Sequence, residues 1–173
     1  MAEVAGGFSD AERAALAERR WAICTSTFYR DLADRLIAGA TRGFAEGGIS
    51  ESAIDAFEVP GAFELPLAAK LCIAGAAEDA GWAPGGGRYA GVACLGAVIR
   101  GETDHYDLVC NEASRGIQDV SLQTGVPCAF GVVTCDTMQQ ALARTDGSTR
   151  DQGHDAATAV MRLALLSAGL SDD

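Results

Sequence analysis

Four apolar runs of strand length alternate along the chain with stretches whose apolar positions recur at helical spacing. Residues 21–24 (WAIC) read as a short buried strand, and across 30–45 Leu32, Leu36, Ile37, Ala40 and Phe44 fall on one helical face. A second strand lies near Ile54–Val59, stopped by Pro60-Gly61, and residues 62–80 return to the helical pattern. The third and longest run, Tyr89–Ile99, precedes a helix over about 104–124, where Tyr106, Val109, Cys110, Ala113, Ile117 and Val120 form an apolar stripe. A fourth strand covers 127–135, a short helix 137–144, and a last helix about 153–168. Ahead of the first strand, residues 9–20 have helical propensity and a start signal at Ser9-Asp10. Their apolar face is mostly alanine, so residues 1–20 read as a partly helical extension, an appendage or interface piece, before a domain over 21–173.

Strand and helix alternating four times imply right-handed crossovers and a four-stranded parallel sheet with helices on both faces, a three-layer αβα sandwich. Such sheets bind ligands beyond the carboxyl ends of their strands. The chemically dense segments fall there: 25–29, 59–64, 97–105 and 135–137. The glycine-rich segment 81–91 comes before a strand, whereas a dinucleotide-binding loop follows one and opens a helix, so it is read as a plain loop.

The 173 residues suffice for one domain with a real core. With 49% hydrophobic and 21% charged residues the chain is not largely disordered, and no apolar stretch reaches the roughly 18 residues that span a bilayer. Without an export signal at the N-terminus, a cytoplasmic location is the default expectation. The six cysteines are scattered singly in apolar surroundings, and most of them read as reduced core residues. A net charge of −11 excludes a nucleic-acid surface, although a few local donors still suffice for an anionic substrate. Lys70 is the only lysine and lies on a solvated helix face, which leaves little room for Schiff-base chemistry on the protein.

Residues 101–105, Gly-Glu-Thr-Asp-His, combine a glycine that permits a tight turn with backbone amides and the Thr103 hydroxyl at a helix start, an arrangement that suits a phosphate; a helix capped by Thr103 or Asp104 fits equally. Histidine titrates near neutral pH, and His105 in the first helical turn is placed to exchange protons with a bound molecule, or it is structural. Glu64, in the strand end 59–64, either accepts hydroxyl hydrogen bonds or complements a helix dipole. Phe28 offers a flat face for a heteroaromatic ring or fills core, and Arg144 at a helix end clamps an anion or serves the dipole alone. His154 reads as a helix start, and without a nearby cysteine cluster or second histidine no metal site is expected.

Three segments, VPGAFELPLAAK (59–70), LGAVIRGETDHYDLVCNEASRGI (95–117) and VPCAFGVVTCDTMQQALAR (126–144), make the chain resemble the 6,7-dimethyl-8-ribityllumazine synthase family from about Trp21 to Leu166. The resemblance implies a flavodoxin-like sandwich and a transferase of riboflavin synthesis that needs no metal or organic cofactor. Its reaction condenses 5-amino-6-(D-ribitylamino)uracil with 3,4-dihydroxy-2-butanone 4-phosphate. Carried over by position, Phe28 stacks on the pyrimidine, Ala62, Phe63 and Glu64 contact the ribitylaminouracil, and Ala97, Val98 and Ile99 line the ring pocket. Glu102 and Thr103 bind phosphate and His105 transfers protons, while Phe130 and Arg144 come from the adjacent subunit of a pentamer. Isolated pentamers, paired pentamers and sixty-subunit shells are all compatible with the resemblance.

Two positions depart from the family pattern. Tyr29 follows Phe28 where the family usually has Asn, and residues 146–153 (DGSTRDQG) replace a lysine-containing segment, with Gln152 where a lysine is common. Three competing readings are a non-catalytic flavin- or lumazine-binding assembly protein, an archaeal-type riboflavin synthase and a flavodoxin-like electron carrier. Intact His105, Arg144 and Glu64 weigh against the first, the phosphate cradle against the second, and the lack of a clear phosphate loop after the first strand against the third.

Overall fold

The structure, a computed structural model, describes residues 7–75, 88–147 and 150–169. Strands β1 (Arg20–Ser26), β2 (Ile54–Val59), β3 (Tyr89–Ile99) and β4 (Cys128–Cys135) form one parallel sheet in the order β2-β1-β3-β4. The helices are α1 (Asp10–Ala17), α2 (Arg30–Glu46), α3 (Leu65–Gly75), α4 (His105–Thr124), α5 (Met138–Ala143) and α6 (Gln152–Gly169). The expected sandwich is therefore the observed one.

Strand β3 is buried almost throughout and explains the two cores. Ala93, Leu95 and Ala97 face a cluster with Leu32, Leu36 and Phe44 of α2 and Ala157, Val160 and Met161 of α6. The alternate residues Val92, Cys94 and Val98 face Leu65 and Ala69 of α3 and Ile117 and Val120 of α4. Burial on both faces is what makes a parallel strand read as a continuous apolar run.

β1 extends two residues beyond the predicted strand. Thr25 and Ser26 pair with Glu58 and Val59 of β2 and are fully buried, so their hydroxyls disguised strand positions as loop. The expected helix over 62–80 begins instead with a 3-10 turn, Ala62–Glu64; its positions 76–80, and 81–87 of the glycine-rich segment, lie outside the described residues. Helix α1 has a Ser9–Glu12 capping box, and it is well anchored. Phe8 and Leu16 are buried in the first core, Arg162 of α6 stacks 4.2 Å from the Phe8 ring, and the Trp21 indole donates to the Leu16 carbonyl.

All six cysteines are free, and Cys24, Cys94, Cys128 and Cys135 are buried. Burial pushes the Cys128 thiol up to about 12 and Cys94 well above its usual value, so both pack as neutral thiols. Cys24 and Cys72 stand with their sulfurs 3.7 Å apart. Lys70 is exposed, as expected of a solvated helix face.

Helices α2 and α6 approach so closely that a Cβ on Gly153 would lie 2.1 Å from the Leu36 carbonyl oxygen, and one on Gly43 2.9 Å from that of His154. Backbone cannot yield there as a side chain would. Gly153→Ala is expected to destabilise the fold by about 1–3 kcal/mol, read as a lower urea midpoint with an unchanged slope; an unchanged midpoint would mean that the helices separate freely.

Candidate functional site

The carboxyl ends of β1, β2 and β3 open into one cavity of about 280 Å³. Beyond β1, the Thr27 amide and hydroxyl both donate to the Val59 carbonyl, at 2.9 and 3.2 Å, which fixes the exit of β1 against that of β2. Phe28 and Tyr29 then line the cavity, their rings edge to face at 5.0 Å. Beyond β2, Gly61, Ala62, Phe63 and Glu64 also line it, with Ala62 buried as the first residue of the 3-10 turn. Ala97, Val98 and Ile99 at the end of β3 make the floor, and Gly101, Thr103, His105, Tyr106 and Val109 close the remaining side.

Phe28 and Phe63 are 73% and 58% exposed, so the walls present apolar rings that the chain's own core does not cover. Such surface is suited to a flat ligand or a neighbouring subunit. Helix α4 begins at the cavity. Its first helical bonds run from the Asp107 and Leu108 amides to the Asp104 carbonyl, which leaves the preceding amides without intrahelical acceptors. Asp104 holds the N-cap position, as the capped-helix alternative had it, but its side chain makes no capping bond to the helix. Nor does Gly101 serve a strained turn. Its φ is not positive, and an added Cβ would meet no protein atom, so what glycine contributes is space.

The predicted residues divide clearly. Phe28, Ala62, Phe63, Glu64, Ala97, Val98, Ile99, Thr103 and His105 surround the cavity. Glu102 is exposed and not part of its lining, although both its neighbours are. Phe130 and Arg144 are also absent from it. Phe130 lies opposite Cys94, five residues back from Ile99 along β3, where it packs against the α3–α4 core and its carbonyl accepts from the Gln152 side chain at 3.3 Å. Arg144 lies just past α5 and donates to the Gln140 carbonyl at 3.1 Å. Tyr106 and Val109 line the cavity although their spacing marked them only as core stripe; both are half-buried, because the stripe begins at the sheet's edge where no further layer covers it. Burial pushes the Tyr106 phenol above its usual value. Among the described residues, no three His, Cys, Asp or Glu side chains gather as a metal site would require.

A cavity with flat apolar walls, a carboxylate on one rim and an open helix start beside a histidine suits an aromatic amine together with a small anion. The family model for 6,7-dimethyl-8-ribityllumazine synthase matches residues 18–168. The chain belongs to that family. It is similar to the 6,7-dimethyl-8-ribityllumazine synthases of Desulfotalea psychrophila, 41% identical over 86% of this chain and 88% of the relative, and of Streptomyces coelicolor, 41% identical over 88% of each. That of Ruthia magnifica is 38% identical over 87% of each chain. Members of the family are transferases that form the lumazine of riboflavin synthesis.

If Phe28 is a stacking face, Phe28→Ala raises the dissociation constant of a flat pyrimidine ligand about tenfold, as loss of one stacking contact implies, with melting temperature retained. Unchanged affinity by calorimetry would assign the ring to packing.

Proposed function

We propose that this cavity condenses 5-amino-6-(D-ribitylamino)uracil with 3,4-dihydroxy-2-butanone 4-phosphate to 6,7-dimethyl-8-ribityllumazine, the penultimate step of riboflavin synthesis, with loss of inorganic phosphate and water. The observation that carries the reading is the convergence of Phe28, residues 62–64, residues 97–99, Thr103 and His105 on one cavity. Phe28 stacks on the pyrimidine over the floor of Ala97, Val98 and Ile99. Ala62 and Phe63 flank it, and Glu64 takes the ribityl hydroxyls. The amides around Glu102 and Thr103, with the Thr103 hydroxyl, hold the phosphate at the start of α4.

The substrate's own amine attacks the ketone, so the imine forms without an enzyme lysine, in keeping with the exposed position of Lys70. His105, beside the phosphate, moves the protons that this addition and the later eliminations require. No cofactor enters the scheme.

Phe130 and Arg144 complete the site from a neighbouring subunit in a ring of five, Phe130 packing on the heterocycle and Arg144 pairing with the phosphate. Their absence from the cavity lining of their own chain and the exposed rings of Phe28 and Phe63 support this sharing. Residues 1–20 are an addition to a catalytic domain over 21–173. The reaction is placed in the cytoplasm, where reducing conditions suit six unpaired cysteines. No helix among the described residues is long and apolar enough to cross a membrane.

His105→Ala is expected to slow turnover by roughly 100-fold with assembly size unchanged, and unchanged turnover would remove His105 from the mechanism. Arg144→Ala tests the shared site. When subunits carrying only His105→Ala are co-assembled with subunits carrying only Arg144→Ala, mixed neighbours recreate intact sites and the rate rises above that of either parent. A mixture no faster than its parents would confine the site to one chain.

A further inference from the structure

Arg100 has no part in the roles above, yet its side chain is more heavily engaged than any other basic group at this end of the sheet. Its amide donates to the Cys135 carbonyl at 2.9 Å, continuing the β3–β4 ladder one residue past β3. Its guanidinium then lies over the Tyr106 ring, 4.0 Å from the centroid, and Tyr106 lines the cavity. Nη1 and Nη2 donate to the two carboxylate oxygens of Asp107 at 3.2 and 3.0 Å, while Nε donates to Asp136 at 3.2 Å. One planar group thus joins the end of β3, the first turn of α4 and the turn after β4. Fork and stacking together are properties of arginine that lysine lacks.

The charge around the cradle gives this geometry its meaning. Glu102, Asp104, Asp107 and Asp136 stand on the segments that enclose or adjoin residues 101–105, and apart from His105 the only basic residue between Arg88 and Arg115 is Arg100. Without Arg100 these carboxylates would oppose an approaching phosphate and offset part of what the amides of the cradle and Arg144 of the neighbouring subunit contribute. The partners are exposed, Asp107 by 56% and Asp136 by 68%, so pairs of this kind contribute little to folding and their energetic role lies elsewhere.

We propose that Arg100 is a positioning residue for the phosphorylated substrate: it neutralises Asp107 and Asp136 and fixes Tyr106, so that residues 101–105 offer an anion both the right geometry and a tolerable potential. It touches no substrate itself. This inference rests on the phosphate-binding reading of the cradle.

The test is steady-state kinetics on the assembled, full-length protein with each substrate varied in turn, together with inhibition by inorganic phosphate. Arg100→Gln is expected to raise the KM for the butanone phosphate and the inhibition constant for phosphate about tenfold, the order of one lost charge compensation near the site, and to leave the KM for the ribitylaminouracil unchanged. Adding Asp107→Asn to Arg100→Gln removes one of the two uncovered charges and recovers part of the loss; Arg100→Lys, which keeps charge but not the fork, falls between wild type and Arg100→Gln. A purely structural role predicts instead that both KM values rise together, or that the double variant is no better than Arg100→Gln, and either result overturns the proposal. Thr103→Val separates the two levels. If it also leaves both phosphate constants unchanged and inorganic phosphate does not inhibit the wild-type protein, the cradle reading has failed; if it raises them while Arg100→Gln does not, only the role of Arg100 is lost.

Discussion

Strand β3 hydrogen-bonds to β1 on one side and β4 on the other, and both its faces are covered by helices, so the whole core holds it in place. A residue on it has no freedom to drift, and at its carboxyl end the ladder stops while the helical layers fall away. Ala97, Val98 and Ile99 occupy that end, paired with Val133, Thr134 and Cys135 of β4. The cavity floor is therefore as rigid as the core, while the segments around it are free to vary chemically. Parallel pairing brings the exits of β1 and β2 to the same edge, so the walls arise from connections that the sheet already requires.

The charge of the chain poses a second constraint. A protein of net charge −11 that holds a phosphate must do so through local dipoles rather than an overall field. On the proposed reading the amides at the start of α4 supply them, Arg144 of a neighbouring subunit adds a charge, and the Arg100 fork neutralises carboxylates that would oppose the anion. Small residues serve the same end: Ala62, Ala97 and Gly101 leave space where larger side chains would stand.

The sequence made the sheet legible because burial on both faces leaves uninterrupted apolar runs, as in Tyr89–Ile99. It hid the end of β1, where buried Thr25 and Ser26 carry hydroxyls that periodicity scores as polar. It placed Tyr106 and Val109 on the apolar face without showing that they also line the cavity, since helical spacing registers which face a residue occupies and not how far along the helix the covering layer extends. The cavity residues 62–64, 97–99, 103 and 105 followed from the rule that ligands gather at strand ends, sharpened by the family resemblance. Phe130 could come from the resemblance only, and Arg144, read from its helix end as an anion clamp or a dipole partner, owed its place in a neighbouring subunit to the resemblance. Arg100 was visible as a polar residue after an apolar run, but its three-way junction depends on Asp136, 36 residues away, which no local pattern encodes.

Catalysis at this cavity is tested most directly by mixing the purified protein with the ribitylaminouracil and the butanone phosphate and following lumazine absorbance beside an enzyme-free control, since the two reagents also condense slowly unaided. Acceleration that saturates in both substrates is expected. A rate equal to the control with ligand still bound would contradict it and leave a protein that binds the heterocycle without transforming it.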